Sequence, residues 1–249
     1  MTVSSRGHVL IIGAQRCGST FLSAALDAHP EITMARPARP EPKVFCNAEL
    51  AARGLEWYHR TWFGHARDER LLGEKSTSYL EDPEAPARAA DVLGEPHVVA
   101  VLRDPVERAV SNWRFSTRHG LETRGLEEAL LADLAGEQAW DPAATSVSPF
   151  AYVRRGRYVD QLAPWASTFP DTTHVVFLEE LTTDPAALTG LLRDLGVDPG
   201  LASAPPVARV NESEGDRPAW SGALRGTLES YYAESNAALG AHLGRSLPW

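Results

Sequence analysis

The sequence predicts an α/β protein with a mostly parallel central sheet and helices on both faces. Two observations carry that reading. First, "HVLII" (8–12), "HVVAVL" (97–102) and "THVVFL" (173–178) are short, continuous runs of β-branched residues and leucine. Such runs mark strands buried on both faces, as parallel strands are. Second, each strand is followed by signals that open a helix, so strand and helix alternate.

The elements follow in order. Strand 8–12 runs into the glycine loop "GAQRCGST" (13–20), and "STFLSAALDAHP" reads as a helix with Phe21, Leu22, Ala25 and Leu26 on one stripe. Pro30 ends it. The stretch 32–45 holds Pro37, Pro40 and Pro42, which exclude a helix interior and a central strand. It is expected to be an ordered or mobile loop, of a length that is usually functional or disordered. Trp57, Tyr58, Trp62 and Phe63 recur at helical spacing and are expected in the core. The turn Glu95-Pro96 precedes strand 97–102. Asp104 and Pro105 then cap and open a helix through Gly120, on which Arg108, Arg114 and Arg118 are expected to be solvated. After strand 173–178, Asp184-Pro185 caps another helix, which Gly196 terminates.

Composition bounds the function. The 249 residues fit a single domain, 1–249, with no internal repeat and no linker long enough to divide the chain. A net charge of −9 argues against a general nucleic-acid or anionic-membrane binder. No apolar run approaches the roughly 20 residues that span a bilayer. The apolar N-terminal stretch continues into the glycine loop, so it reads as a strand, not as a secretory signal. Cys17 and Cys46 are too few for a disulfide framework or a zinc site, so a reduced, cytoplasmic protein without a metal is expected.

The glycine loop departs from the Walker pattern G-x-x-x-x-G-K-[ST] at one position. Gly13, Gly18 and Thr20 stand at the right spacing, but Ser19 replaces the lysine and the cation is Arg16, three residues upstream. A strand, a glycine turn and a helix N-terminus gather backbone N–H groups around one anion. Ser19 and Thr20 add hydroxyls, and Arg16 adds a planar fork of donors. Cys17 reads as a small residue lining the loop, with a low-pKa thiol at a helix N-terminus as the alternative. Without the lysine that reaches β- and γ-phosphates, a nucleoside triphosphate is a poor ligand. A second constellation lies at "VLRDPVERAVSNW" (101–113). There Arg103, leaving a strand, and Ser111, on the next helix, can converge on a second phosphate. The alternative for Arg103 is an ion pair with Asp104 or Glu107.

Taken in this order, the two segments resemble the sulfotransferases that use 3′-phosphoadenosine 5′-phosphosulfate (PAPS). "GAQRCGSTFLSAALDAHP" is similar to that family's 5′-phosphosulfate loop and "LRDPVERAVSNW" to its 3′-phosphate motif. "EPKVF" (41–45), "GLEWY" (54–58) and "EKSTSYL" (74–80) resemble the heparan-type Golgi branch, and the similarity continues to about residue 196. In using arginine at position 16 the chain resembles the tyrosylprotein branch.

The resemblance implies the P-loop, nucleotide-kinase-like sulfotransferase fold. It also implies PAPS as donor, 3′,5′-ADP as product and a hydroxyl-bearing acceptor: a small molecule, glycoside, lipid or carrier-bound intermediate. It assigns Arg16, Cys17, Gly18, Ser19 and Thr20 to the 5′ end of PAPS, and Arg103 and Ser111 to its 3′-phosphate. Glu41 becomes the general base, with Lys43 and Lys75 at the substrate; Lys75 has the alternative of pairing with Glu74. Arg209 and Arg217 stand where the heparan branch has a basic loop over the 3′-phosphate. A histidine base, as in the cytosolic branch, would come from His59, His65, His97 or His119, none of which lies in a matching segment. PAPS has no β,γ-polyphosphate, which accounts for the missing lysine. The alternative function is a P-loop metabolite kinase or nucleotide-binding protein, distinguished by metal-dependent nucleotide hydrolysis.

Overall fold

The computed structural model describes residues 6–143, 145, 147–202 and 220–249. Its contacts gather into two compact units, Met1–Leu102 with Gln161–Asn211 and Arg103–Asp160 with Glu212–Trp249.

The first unit is built on a five-stranded, all-parallel sheet. Its strands are β1 (Gly7–Gly13), β2 (Ile32–Met34), β3 (Leu71–Lys75), β4 (His97–Leu102) and β5 (Thr173–Phe177), in the order β2-β3-β1-β4-β5. Val9 to Ile12 in β1 and Val98 to Leu102 in β4 are completely buried. Each large aliphatic side chain among them contributes roughly 1.5–3 kcal/mol by leaving water. β1 lies between β3 and β4, and the chain runs outward from it on both sides. Its carboxyl end is therefore the switch point at which α/β sheets bind ligands.

Two elements of this sheet differ from the sequence expectation. The proline-bearing stretch 32–45 begins with a strand, because Ile32–Met34 pair with Leu71–Gly73 at the edge of the sheet, before the first proline. β3 itself, "LLGEK", carries no continuous apolar run, yet four of its five residues are buried.

In the second unit the helices Pro105–Arg118, Leu126–Ala135 and Gly222–Leu243 pack around Val106, Ala109, Leu130, Tyr152, Leu228 and Tyr232. Asp104 caps the first helix as its sequence predicts, accepting from the Val106 N–H at 2.8 Å. One expectation fails here. Arg108 is completely buried, not solvated, because the early turns of its helix are covered around most of their circumference. Its Nη2 donates to Tyr152 O, whereas Nε and Nη1 have no partner among the described residues. Arg118 is exposed and Arg114 half-buried.

Candidate active site

The glycine loop leaves β1 and is pinned at once, the Ala14 N–H donating to Val101 O of β4 at 2.7 Å. Arg16 then takes a left-handed conformation at φ 67°, and Gly18 another at φ 89°. Glycine suits position 18. Its backbone lies where side chains are strained, and a Cβ would fall 2.5 Å from Leu178 Cδ1. The helix Ser19–Asp27 that follows has no side-chain cap and no acidic residue in its first turn. Its leading N–H groups and dipole thus point out of the loop, an arrangement that suits an anion. Ser19 is buried and Thr20 half-buried at the same turn. Cys17 lines the loop from inside. It is completely buried, its N–H donates to Ala14 O at 3.2 Å, and its Sγ lies 3.7 Å from Gln15 O. The other thiol, Cys46, is pushed up to about 11 by burial, so it is not a ready nucleophile.

Parallel pairing brings β3 alongside this loop. Ile11 stands opposite Lys75, and the Ser76 N–H donates to Ile11 O at 3.1 Å. A Cβ on Gly13 would meet Leu80 Cβ at 2.9 Å and Thr77 O at 3.4 Å, so the loop and the segment after β3 are in direct contact. Glu41 reaches into that segment. Lys75 Nζ lies 2.5 Å from Glu41 Oε1, and Thr77 donates to Oε2 through its N–H at 2.9 Å and its hydroxyl at 3.0 Å. The two ion-pair side chains are 13% and 18% exposed, so the pair is sheltered yet open to a ligand.

Lys75 pairs with Glu41 and not with Glu74, because alternate residues of a strand point to opposite faces. Glu74 is completely buried on the other face. It accepts from Ser76 Oγ at 2.6 Å, Tyr79 OH at 2.7 Å and Tyr58 OH at 2.7 Å. Burial pushes its carboxyl up from the ordinary range, against the pull of those three donors. Lys43 is half-buried and left-handed at φ 51°, and its N–H donates to Ser76 Oγ at 2.9 Å. Sequence reasoning singled out Glu41, Lys43 and Lys75 but not Thr77, nor the carboxylate–hydroxyl cluster on Glu74. The signal was present in "EKSTSYL", where polar residues follow one another at the end of a buried strand.

Arg103 and Ser111 belong to the second unit. Arg103 Nη2 is 3.9 Å from Glu107 Oε2, an ion pair longer than a hydrogen bond, and Glu107 is shared with Arg225 at 3.5 Å. Arg103 O accepts from Tyr158 OH at 2.8 Å, and Ser111 is buried. Arg209 and Arg217 lie outside the described residues. The four histidines have partners of their own: His59 stacks on His8, His97 on His174, His65 bonds Thr33 Oγ1 and His119 bonds Phe115 O. Among the described residues no helix is long and apolar enough to cross a membrane.

Comparison with known proteins bears on the family of the chain. Residues 6–189 match the sulfotransferase domain family. Human heparan sulfate glucosamine 3-O-sulfotransferase 6 is 32% identical over 189 residues, covering 75% of this chain and 51% of the relative. The bifunctional heparan sulfate N-deacetylase/N-sulfotransferase 1 of Caenorhabditis elegans is 30% identical over 174 residues, 68% of this chain and 19% of the relative. The chain thus spans about half the length of the first relative and about a fifth of the second. Among solved structures, a sulfotransferase from Alicyclobacillus acidocaldarius superposes with a TM-score of 0.77 at 25% identity, covering 98% of both chains. The sulfotransferase domain from the curacin biosynthetic pathway shares the fold, with a TM-score of 0.54 at 15% identity over 98% of this chain and 99% of that one. On the family match and these likenesses together, the chain belongs to the sulfotransferase domain family.

Proposed function

We propose that this chain transfers a sulfuryl group from PAPS to a hydroxyl of a small-molecule, glycoside, lipid or carrier-bound acceptor. The observation that carries the reading is a carboxylate, Glu41, fixed by Lys75 and Thr77 on a segment in contact with an uncapped anion loop. When bound, PAPS would supply an activated sulfuryl group and a 5′-phosphate that leaves from it, as part of 3′,5′-ADP, when the acceptor oxygen bonds to sulfur. The loop N–H groups, the Ser19 and Thr20 hydroxyls and Arg16 would bind that phosphate and stabilise the negative charge it gains. Glu41 would take the proton of the attacking hydroxyl at a carboxylate lone pair not used by Lys75 or Thr77, and Lys75 would hold the acceptor oxygen near it. General-base assistance of this kind is worth about 10²–10⁴ in rate. Arg103 and Ser111 would bind the 3′-phosphate.

Two further features support the reading. The absence of acidic residues from the first helical turn and the presence of Arg16 suit a phosphate that needs no bridging metal. Arg36 is paired with Asp27 at 2.6 Å, which offsets one cation of the proline-bearing stretch and favours a smaller acceptor over a polyanionic glycan. Because relatives named for O-sulfation and for N-sulfation both resemble the chain, the test uses a panel of hydroxyl and amine acceptors. With PAPS in excess EDTA, 3′,5′-ADP should appear only when an acceptor is present. Magnesium-dependent turnover of ATP without turnover of PAPS would overturn the proposal in favour of a kinase.

A further inference from the structure

Glu41 lies in a stretch that is poorly equipped to hold itself still. Pro37, Pro40 and Pro42 bring no N–H groups, so the first main-chain donor after Glu41 is Lys43. Its N–H goes to Ser76 Oγ at 2.9 Å, and the Phe45 N–H goes to Tyr79 OH at 3.2 Å. A backbone N–H can only donate, so both hydroxyls must accept from the loop. Each hydroxyl has a single proton, and both protons point to one atom: Glu74 Oε1, 2.6 Å from Ser76 Oγ and 2.7 Å from Tyr79 OH.

From this geometry we infer that Glu74 is a positioning residue for Glu41, its Oε1 orienting two hydroxyls so that they accept from the loop that carries the base. The requirement is for an acceptor at Oε1 and not for a charge. Among the described residues the other oxygen, Oε2, takes only the Tyr58 hydroxyl, at 2.7 Å, and Tyr58, on the helix Gly54–Trp62, meets the loop through its ring, 5.7 Å from that of Phe45, a contact that Tyr58→Phe keeps. The two tyrosines therefore form an internal comparison. Each donates one buried hydroxyl to the same carboxylate, and only Tyr79 passes the orientation on to the loop. A misplacement of about 1 Å in a reacting group can cost on the order of 10²-fold in rate, so such anchoring acts on turnover directly.

The consequence for turnover rests on the proposed role of Glu41, whereas the anchoring itself does not, and the test separates them. Amide hydrogen exchange of the full chain is measured across 41–46 for Tyr79→Phe, Ser76→Ala and Tyr58→Phe, with melting temperature as a check on fold. Tyr79→Phe and Ser76→Ala should raise exchange in this segment at least tenfold, and Tyr58→Phe should leave it within about twofold at a similar loss of melting temperature. Glu74→Gln, whose amide oxygen can stand at Oε1 while its NH₂ donates to Tyr58, should retain protection; Glu74→Met should lose it. Equal exchange in the two tyrosine variants, or equal loss in Glu74→Gln and Glu74→Met, would overturn the inference. In sulfuryl transfer, kcat should fall about tenfold or more for Tyr79→Phe but not for Tyr58→Phe, with 3′,5′-ADP affinity unchanged in both. Loosened exchange with unchanged kcat would instead retain the anchoring and reject Glu41 as the base.

Discussion

Arg16 occupies a left-handed conformation at φ 67°, a strain that an L-residue bears at a cost of roughly 1–2 kcal/mol. Arg16→Ala and Arg16→Gly delete the same guanidinium, so every contact of the side chain beyond Cβ cancels between them. What differs is the backbone. Glycine escapes the left-handed penalty but gives up about 0.5–1 kcal/mol of additional chain entropy on folding. At the middle of each range the glycine variant should therefore be the more stable by about 0.75 kcal/mol. In a chain of this size that is a difference of about 1–4 °C in melting temperature, readable by calorimetry. Both variants should bind 3′,5′-ADP at least tenfold more weakly than the parent. A charge-assisted hydrogen bond contributes about 1.5–3 kcal/mol, and each has lost the fork that makes it. An alanine variant as stable as the glycine variant would refute the left-handed loop. Unchanged affinity in both would refute the anion-binding role of Arg16, leaving the strain without a functional reason.

Arg103→Ala should weaken 3′,5′-ADP at least tenfold more than 5′-AMP by calorimetry, since only the former carries the 3′-phosphate; equal losses would assign Arg103 to the fold. Gly18→Ala should destabilise the protein by roughly 1–3 kcal/mol in urea unfolding, because its Cβ would sit 2.5 Å from Leu178 Cδ1 on left-handed backbone. His8 is held down to about 4 by burial, with His59 adding to the shift. Folded protein therefore binds fewer protons there than unfolded protein between pH 6.5 and 4, and stability falls as pH drops through that window. Between about pH 7 and about pH 5 the loss attributable to His8 is about 2 kcal/mol, and His8→Gln should remove that share of the pH dependence of urea unfolding.

What the sequence disclosed follows from how locally each feature is encoded. β1 and β4 stand out because strands buried on both faces must be apolar throughout, β5 shows a similar run although it lies at the sheet edge with only Phe177 buried, and Asp104 and Asp184 announce helices through a bond to the N–H two residues on. β3 was hidden for the opposite reason. Its Gly73, Glu74 and Lys75 break the apolar run, and Glu74 is tolerated in the core only because three hydroxyls donate to it. Arg108 misled in the same way, since an arginine on a helix reads as solvated until its neighbours are known. In the candidate site, Glu41 and Lys75 were legible as residues but their partnership was not. They are 34 positions apart, and only the pairing of β1 with β3 sets Lys75 beside the loop that Glu41 enters. Thr77, which binds Glu41 through both its N–H and its hydroxyl, is one of several polar residues in "EKSTSYL", and nothing in that run marks it out from its neighbours.

The proposed mechanism turns on Glu41, fixed between Lys75 and Thr77, accepting the proton of the attacking group. Glu41→Gln keeps the size of the side chain and most of its hydrogen bonding but cannot take that proton. The decisive experiment is single-turnover sulfuryl transfer by this variant with PAPS and a competent acceptor, alongside calorimetry with 3′,5′-ADP. The rate should fall about 10²-fold or more, with affinity for 3′,5′-ADP within about twofold of the parent. A rate reduced less than about fivefold, with the same unchanged affinity, would show that Glu41 is not the base.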